Sequence, residues 1–202
     1  MKCVICGTKF TWSGRGREPL YCSATCRKRG SRLNAPLRVP VDMALADRWV
    51  RWKRLKRGDG ITKKPLTVDG HAASSTDRST WSSLIAVEEA EVGDGLGFTL
   101  GSGFACIDLD HCYDSRNHLA DWAKMLLAPV EGKTFIELSP SGDGLHIWGR
   151  TREQTGLKVR GLMNVEAYSK GRYMTVTGKP YKTSVLKLAD LSYLFEVIKK
   201  LS

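Results

Sequence analysis

The spacing of apolar and polar residues changes several times along this chain of 202 residues. Between residues 48 and 57, Trp49, Val50 and Trp52 are interleaved with basic residues, which is a strand pattern. The turn Gly58-Asp59-Gly60 then returns the chain into residues 61–65, predicting a basic hairpin. Residues 79–91 set Trp81, Leu84, Ile85 and Glu88 at helical spacing behind Ser79, a capping residue. Residues 95–100 and 103–110 read as neighbouring strands of a hairpin. Residues 117–128 carry Leu119, Trp122, Ala123, Leu126 and Leu127 on one helical face. A further hairpin joins residues 134–139 to 145–149 across a Ser/Gly loop. Another joins 165–168 to 172–177, turned at Ser169-Lys170-Gly171. A last amphipathic helix runs from residue 188 to about 201. The pattern predicts an α+β fold of antiparallel hairpins backed by helices.

The first 34 residues follow a different logic. Cys3-x2-Cys6 and Cys22-x3-Cys26 form a set of four thiols at zinc-ligand spacing. So short a segment cannot bury a useful core, so bound zinc would supply much of its folding energy. Residues 25–29 begin a short helix that projects Arg27, Lys28, Arg29 and Arg32. The stretch 35–44, with Pro36 and Pro40 and no periodicity, reads as a linker to a larger domain over 45–202. No apolar run is long enough for a membrane span and no signal peptide is evident, which predicts an intracellular protein that does not engage a membrane.

Charge sharpens this picture. The chain holds 32 Lys and Arg against 21 Asp and Glu. Residues 1–66 hold 17 of the basic and 4 of the acidic residues, so the entire positive excess lies in the first third. That asymmetry marks a polyanion-binding segment, and the basic hairpin offers phosphates an outer face.

The chemistry lies further on. In a strand, residues two apart face one side, so Asp108 and Asp110 point together while Ile107 and Leu109 face the core. Two adjacent carboxylates repel unless a cation sits between them, and hard oxygen donors suit Mg²⁺ or Mn²⁺. Glu166, in another apolar strand, offers a third carboxylate for a two-metal site. The loop Ser139-Pro140-Ser141-Gly142-Asp143-Gly144 has the glycines and hydroxyls of a phosphate nest, with His146 at the start of its return strand. Lys170 and Arg172 stand beside Glu166 and could hold phosphate or template. His111 could orient an aspartate, and Asp114 could cap the following helix. Cys106 and Cys112 read as packing residues.

The order Ile107-Asp108-Leu109-Asp110-His111, then Ser139-Pro140-Ser141-Gly142-x-Gly144-Leu145-His146, then Glu166 with residues 171–178, resembles the bifunctional primase-polymerases of phages and plasmids, in the archaeo-eukaryotic primase superfamily. Residues 64–65 and 73–81 resemble that family's N-terminal portion, so the likeness spans roughly 45–180. It implies an RRM-like catalytic core and template-directed nucleotide addition with Mg²⁺ or Mn²⁺. Asp108, Asp110 and Glu166 map to the metal carboxylates and His146 to the nucleotide-phosphate histidine. Ser139, Ser141, Gly142, Gly144, Lys170 and Arg172 fall in nucleotide-binding motifs. The cysteine segment resembles small treble-clef-like zinc modules, with Cys3, Cys6, Cys22 and Cys26 as ligands. Implied partners are a single-stranded DNA template or primer-template, nucleoside triphosphates and a helicase in trans. The implied setting is the cytoplasm of a bacterial host, with a phage or mobile element as the source. Two other classes stay open: a non-catalytic nucleic-acid-binding replication factor, and a metal-dependent nuclease that directs the same carboxylates at water.

Overall fold

A computed structural model of the chain describes residues 1, 3, 8–14, 19–33, 38–58 and 60–202; the side chains of residues 29, 31–33 and 57 lie outside that description. The chain divides into two units, Met1–Leu37 and Arg38–Ser202. Among the described residues, no helix is long and apolar enough to cross a membrane.

In the first unit, helix α1 (Ala24–Leu33) follows Ser23, whose hydroxyl accepts the Cys26 N–H at 3.1 Å. That is an N-cap bond: it satisfies one of the amides that a helix start leaves without a partner. Arg27 and Lys28 are exposed on this helix, as expected. Cys3 N–H donates to Thr8 and Phe10 N–H to Met1, which folds the chain back on itself around Cys3.

The second unit begins earlier than its composition suggests. Val41–Ala44 forms a single-turn helix, α2, and Val39, Met43 and Ala44 are buried. Pro40 precedes that turn where its missing N–H costs nothing. Residues 38–44 therefore pack into the second unit instead of spanning a gap.

Two sheets form this unit. The first has the order β2-β1-β3-β9, from β1 (Trp49–Arg57), β2 (Gly60–Leu66), β3 (Gly95–Thr99) and β9 (Tyr173–Val176). The second is built on β4 (Phe104–Leu109), β5 (Ile136–Leu138), β6 (Leu145–Arg150), β7 (Leu157–Val159), β8 (Val165–Tyr168) and β10 (Ala189–Asp190). Its order is β10-β6-β4-β8-β7, with β5 pairing β6, and only the β10–β6 pair is parallel. One face of the second sheet carries Ala105, Ile107, Leu109, Leu145, Ile147, Val165 and Ala167. It packs into a core with helices α4 (Asp121–Leu127) and α5 (Ser192–Leu201). On the opposite face Phe104 and Trp148 meet Phe98 of the first sheet edge-on, at centroid distances of 4.9 and 6.0 Å. The mixed α/β architecture with antiparallel sheets agrees with the sequence reading, as do the β1–β2 and β5–β6 hairpins.

Two expected hairpins do not form. β3 pairs with β1 and β9, and β4 pairs with β6 and β8. Between β3 and β4, residues Gly101, Ser102 and Gly103 all take positive φ (124°, 53° and 85°), which swings the chain from one sheet to the other. Likewise β8 and β9 lie in different sheets, with the chain crossing at residues 169–172. The helices are also shorter than expected. The span 79–91 divides into a 3₁₀ turn, Arg78–Thr80, capped by Asp77, and α3 (Leu84–Glu89), capped by Ser83 instead of Ser79. α4 starts only at Asp121, because Asp114 spends its carboxylate on the Arg116 and His118 amides in a loop. The C-terminal helix starts at Ser192, because Ala189 and Asp190 pair as β10.

Candidate metal and nucleotide site

Register places the chemistry. Asp108 lies directly opposite His146 on β6 and Glu166 on β8. His146 lies opposite Glu137 on β5, and Glu166 opposite Lys158 on β7. Directly paired residues share a face, so five strands contribute one row: Glu137, His146, Asp108, Glu166, Lys158. Asp110 follows the end of β4, its amide bonded to the Asn164 carbonyl.

The two glutamates that flank the middle of this row are saturated with partners. Glu137 is fully buried and accepts from Trp148 Nε1 (3.0 Å), Thr177 N (3.0 Å), Thr177 Oγ1 (3.1 Å) and Gly178 N (2.8 Å). Its Oε1 also lies 3.3 Å from His146 Nδ1. Glu166 is clasped by Arg160, by Lys158 at 3.3 Å, by Arg172 at 3.6 Å and by the Tyr168 hydroxyl at 2.6 Å. Burial opposes the Glu166 charge, but the bonds from Tyr168, Arg160 and Lys158 hold its carboxyl below the usual range.

The middle of the row is different. Asp108 Oδ1 is buried and has no hydrogen-bond partner. His146 Nε2 stands 3.6 Å away, too far for a hydrogen bond. Burial pushes the Asp108 carboxyl up to about 6; His146 pulls it back while Asp110 and Glu166 push it further. For His146 burial disfavours charge, but the Glu137 bond and the Asp108 and Glu137 carboxylates outweigh it and raise its pKa. A buried anionic oxygen without a donor, next to further carboxylates, is the donor chemistry of a hard divalent cation. Asp108 and Asp110 would hold such a cation. Asp108, Asp110 and Glu166 do not by themselves converge within 4.8 Å; among the described residues, Cys3, Cys22 and Cys26 are the set that does.

In that cysteine set, Cys22 Sγ, just before the start of α1, lies 3.6 Å from Cys26 Sγ in its first turn. Tetrahedral zinc with bonds of about 2.3 Å sets its sulfurs about 3.8 Å apart. The three thiols therefore fit a zinc ion, and none of them is in a disulfide. Cys6, the expected fourth ligand, lies outside the described residues.

The Ser/Gly loop borders the end of β4. A Cβ on Gly144 would stand 2.7 Å from the Leu109 carbonyl, so only glycine permits this approach. Its hydroxyls are engaged internally: Ser139 with Ser141 at 2.9 Å, and Ser141 with Asp143. His111 pairs with Asp143 Oδ2 at 2.6 Å and not with Asp108 or Asp110. Its positive φ of 50° turns it away from the strand. Cys106 and Cys112 are wholly buried, and burial raises both thiols, as suits packing residues.

Lys170 and Arg172 line a cleft of about 620 Å³ together with Arg48, Ser75, Thr76, Arg78, Trp81 and Tyr168. Arg172 lies over the Tyr168 ring at 4.7 Å and Arg48 over Trp81 at 4.9 Å. Arg48 is buried and donates to the Thr99 and Leu100 carbonyls and to Ser102 Oγ. Burial, then the neighbouring Arg78, lowers its pKa. Sequence reasoning missed Glu137, Lys158, Arg160, Arg48 and Arg78 as site residues. Glu137 had a signal: it alternates with Ile136 and Leu138 in a strand predicted to pair with that of His146.

These features define a row of carboxylates and imidazole on one sheet face and, lined by Arg172, a basic cleft. The chain is related to phage-type primase-polymerases, as its motifs suggest. Over 176 aligned residues it is 35% identical to a protein named DNA Primase-polymerase from Nitratiruptor phage NrS-1, an alignment covering 79% of this chain. The chain spans only 23% of that protein's length. No family model matches the chain.

Proposed function

We propose that the second unit is a primase-polymerase catalytic domain with an RRM-like core, and that it joins nucleotides to a growing strand on a single-stranded DNA template. The first unit would be a zinc module that helps to hold nucleic acid. The observation that carries this reading is the bare Asp108 Oδ1, buried between His146 and Glu166 in one cross-strand row. Similarity to a protein named as a primase-polymerase supports it.

A divalent cation on Asp108 and Asp110 would supply activation of the attacking 3′-hydroxyl and charge neutralisation at the leaving pyrophosphate. The protein's own groups do the rest. Glu137 accepts the Nδ1 proton of His146 and fixes the ring; the raised pKa favours the imidazolium, whose Nε2–H then faces Asp108 and any phosphate placed there. Arg172 and Lys170 meet nucleotide phosphates in the cleft. The clasp of Arg160, Lys158 and Arg172 holds Glu166 charged and oriented beside Asp108; phosphates would compete for those cations and free the carboxylate as a third ligand. The Ser139, Ser141, Gly142 and Gly144 loop closes the edge beside Asp110.

The test is nucleotide incorporation on single-stranded DNA with Mg²⁺ or Mn²⁺, with and without a primer. Incorporation that disappears in the Asp108→Ala/Asp110→Ala variant supports the reading, and the unprimed lane decides whether the domain also starts strands. No incorporation with DNA binding intact favours a binding factor. Loss of strand length in place of gain favours a nuclease.

A further inference from the structure

The β1–β2 hairpin carries more positive charge than its own fold can use. Lys53 stands opposite Lys64, and Arg54 opposite Lys63. Like charges directly opposite weaken a strand pair. Lys53, Arg54, Lys56, Lys63 and Lys64 are all exposed, and among the described residues none of their side chains is in an ion pair. A ligand of opposite charge accounts for such a ladder.

The alternation of a strand divides these cations between two faces. Arg54, Lys56 and Lys63 share one face with Trp52, whose ring lies 5.8 Å from the Arg54 guanidinium and 5.9 Å from the Lys63 ammonium. Lys53 and Lys64 are on the other face, in a hollow that also holds Glu91. The two faces differ in their surroundings too. Arg172, 3.6 Å from Glu166 Oε2, ties the carboxylate row to the start of β9. Tyr173, at the start of β9 and next to Arg172, donates its hydroxyl to the Lys63 carbonyl. The Arg54 face is thus continuous with the proposed metal site. It extends away for on the order of 20 Å, given about 3.4 Å per residue over seven paired positions.

We propose that the Arg54–Lys56–Lys63 face is the track for the phosphate backbone of the nucleic-acid strand that reaches the Asp108 row. The assignment rests on the site reading above for what lies at the end of the track, but not for the binding itself. Trp52 is buried and supports the cations from beneath, leaving its ring unavailable to bases. Recognition is therefore of phosphate, not of sequence.

The test compares two double variants of the full chain, Arg54→Gln/Lys63→Gln and Lys53→Gln/Lys64→Gln. Both remove the same charge from the same hairpin. Affinity for a fluorescent single-stranded oligonucleotide is measured without added divalent metal across a salt series. The first variant should bind about tenfold more weakly near 0.1 M salt, with the log–log salt slope shallower by about 1.4, from two lost contacts at about 0.7 each. The second should lose less than about threefold. Equal losses would mean net charge alone and overturn the track. No loss in either variant would also overturn it, leaving the hairpin to an acidic protein partner. A separate titration with a nucleoside triphosphate distinguishes the source of the phosphate. Loss of triphosphate binding with strand binding intact would move Lys63 to the nucleotide site and overturn the proposal. Thermal melting shows whether each variant is folded. Wild-type protein that binds strands but incorporates no nucleotide would sink the catalytic reading and leave the track standing.

Discussion

His146 stands directly opposite Asp108 across the β4–β6 pair, with Nε2 3.6 Å from Oδ1, while its Nδ1 is 3.3 Å from Glu137. The imidazole is a wedge between two carboxylates of opposite character. Glu137 has every lone pair engaged by protein donors; Asp108 has a buried oxygen with none. The first arrangement is what a positioning residue needs, and the second is what a ligand-binding residue needs.

Asp108 should therefore lower the stability of the metal-free protein at neutral pH. Burial raises its carboxyl to about 6. Below about pH 4 the group is protonated in both folded and unfolded chains and costs nothing. Between about pH 4 and 6 the unfolded chain has released the proton that the folded state keeps, so stability falls across that window and levels off above about 6. Asp108→Asn should gain roughly 1–3 kcal/mol at pH 8, from a shift of about two pKa units, and nothing near pH 4. Urea denaturation at the two pH values checks this. Added Mg²⁺ or Mn²⁺ should raise the midpoint of the wild type and leave Asp108→Asn unmoved; equal shifts would remove Asp108 from the cation site.

Glu137→Gln should damage the site from behind. Its amide NH₂ would face donors from Trp148, Thr177 and Gly178, leaving buried groups unpaired at a cost of roughly 2–4 kcal/mol. His146 would also lose the partner that fixes its Nδ1. In incorporation assays kcat should fall more than KM, and the pH at which His146 acts should move down. An unchanged pH profile with reduced stability would reduce Glu137 to a structural role.

Much of this was legible in the sequence, and the illegible part has a physical reason. The strands of Asp108, His146 and Glu166 were readable because apolar neighbours alternate with single polar residues. Which strands would be neighbours was not. Residues 95–110 and 165–177 look like hairpins because each pair of strands is close in sequence. Both connections instead cross between sheets, at Gly101-Ser102-Gly103 and around Gly171, where positive φ redirects the chain. A local pattern holds no record of that choice. The clasp around Glu166 and the arginine cleft depend on it, since Arg172 reaches both only from the start of a strand in the other sheet.

Gly149→Ala should loosen the far edge of the second sheet. A Cβ there would stand 2.5 Å from both the Ala189 carbonyl and Leu191 Cγ. One of these contacts is backbone and the other belongs to a fully buried leucine, so neither can give way cheaply. The only parallel pair among the described strands, β10–β6, must shift, and α5 follows it directly. A loss of roughly 1–3 kcal/mol is expected, as for overpacked cores. Because the row of Glu137, His146 and Asp108 lies on the opposite end of β6, activity at low temperature should largely survive. Full stability in this variant would contradict the β10 placement.

Zinc removal should separate the two units. The first unit of 37 residues has too little chain for a self-sufficient core, whereas the second has its own. If the thiols near 3.6 Å are zinc ligands, metal binding is the folding energy of that unit. Cys26→Ser should abolish stoichiometric zinc and leave residues 1–37 open to trypsin, which has many Lys and Arg sites there. The Arg38–Ser202 unit, which has its own core, should resist cleavage and keep its thermal midpoint. Zinc analysis and digestion of wild type and variant make the comparison. Zinc retained by Cys26→Ser would remove Cys26 from the ligand set, and a drop in the second unit's midpoint would show that its stability depends on the first.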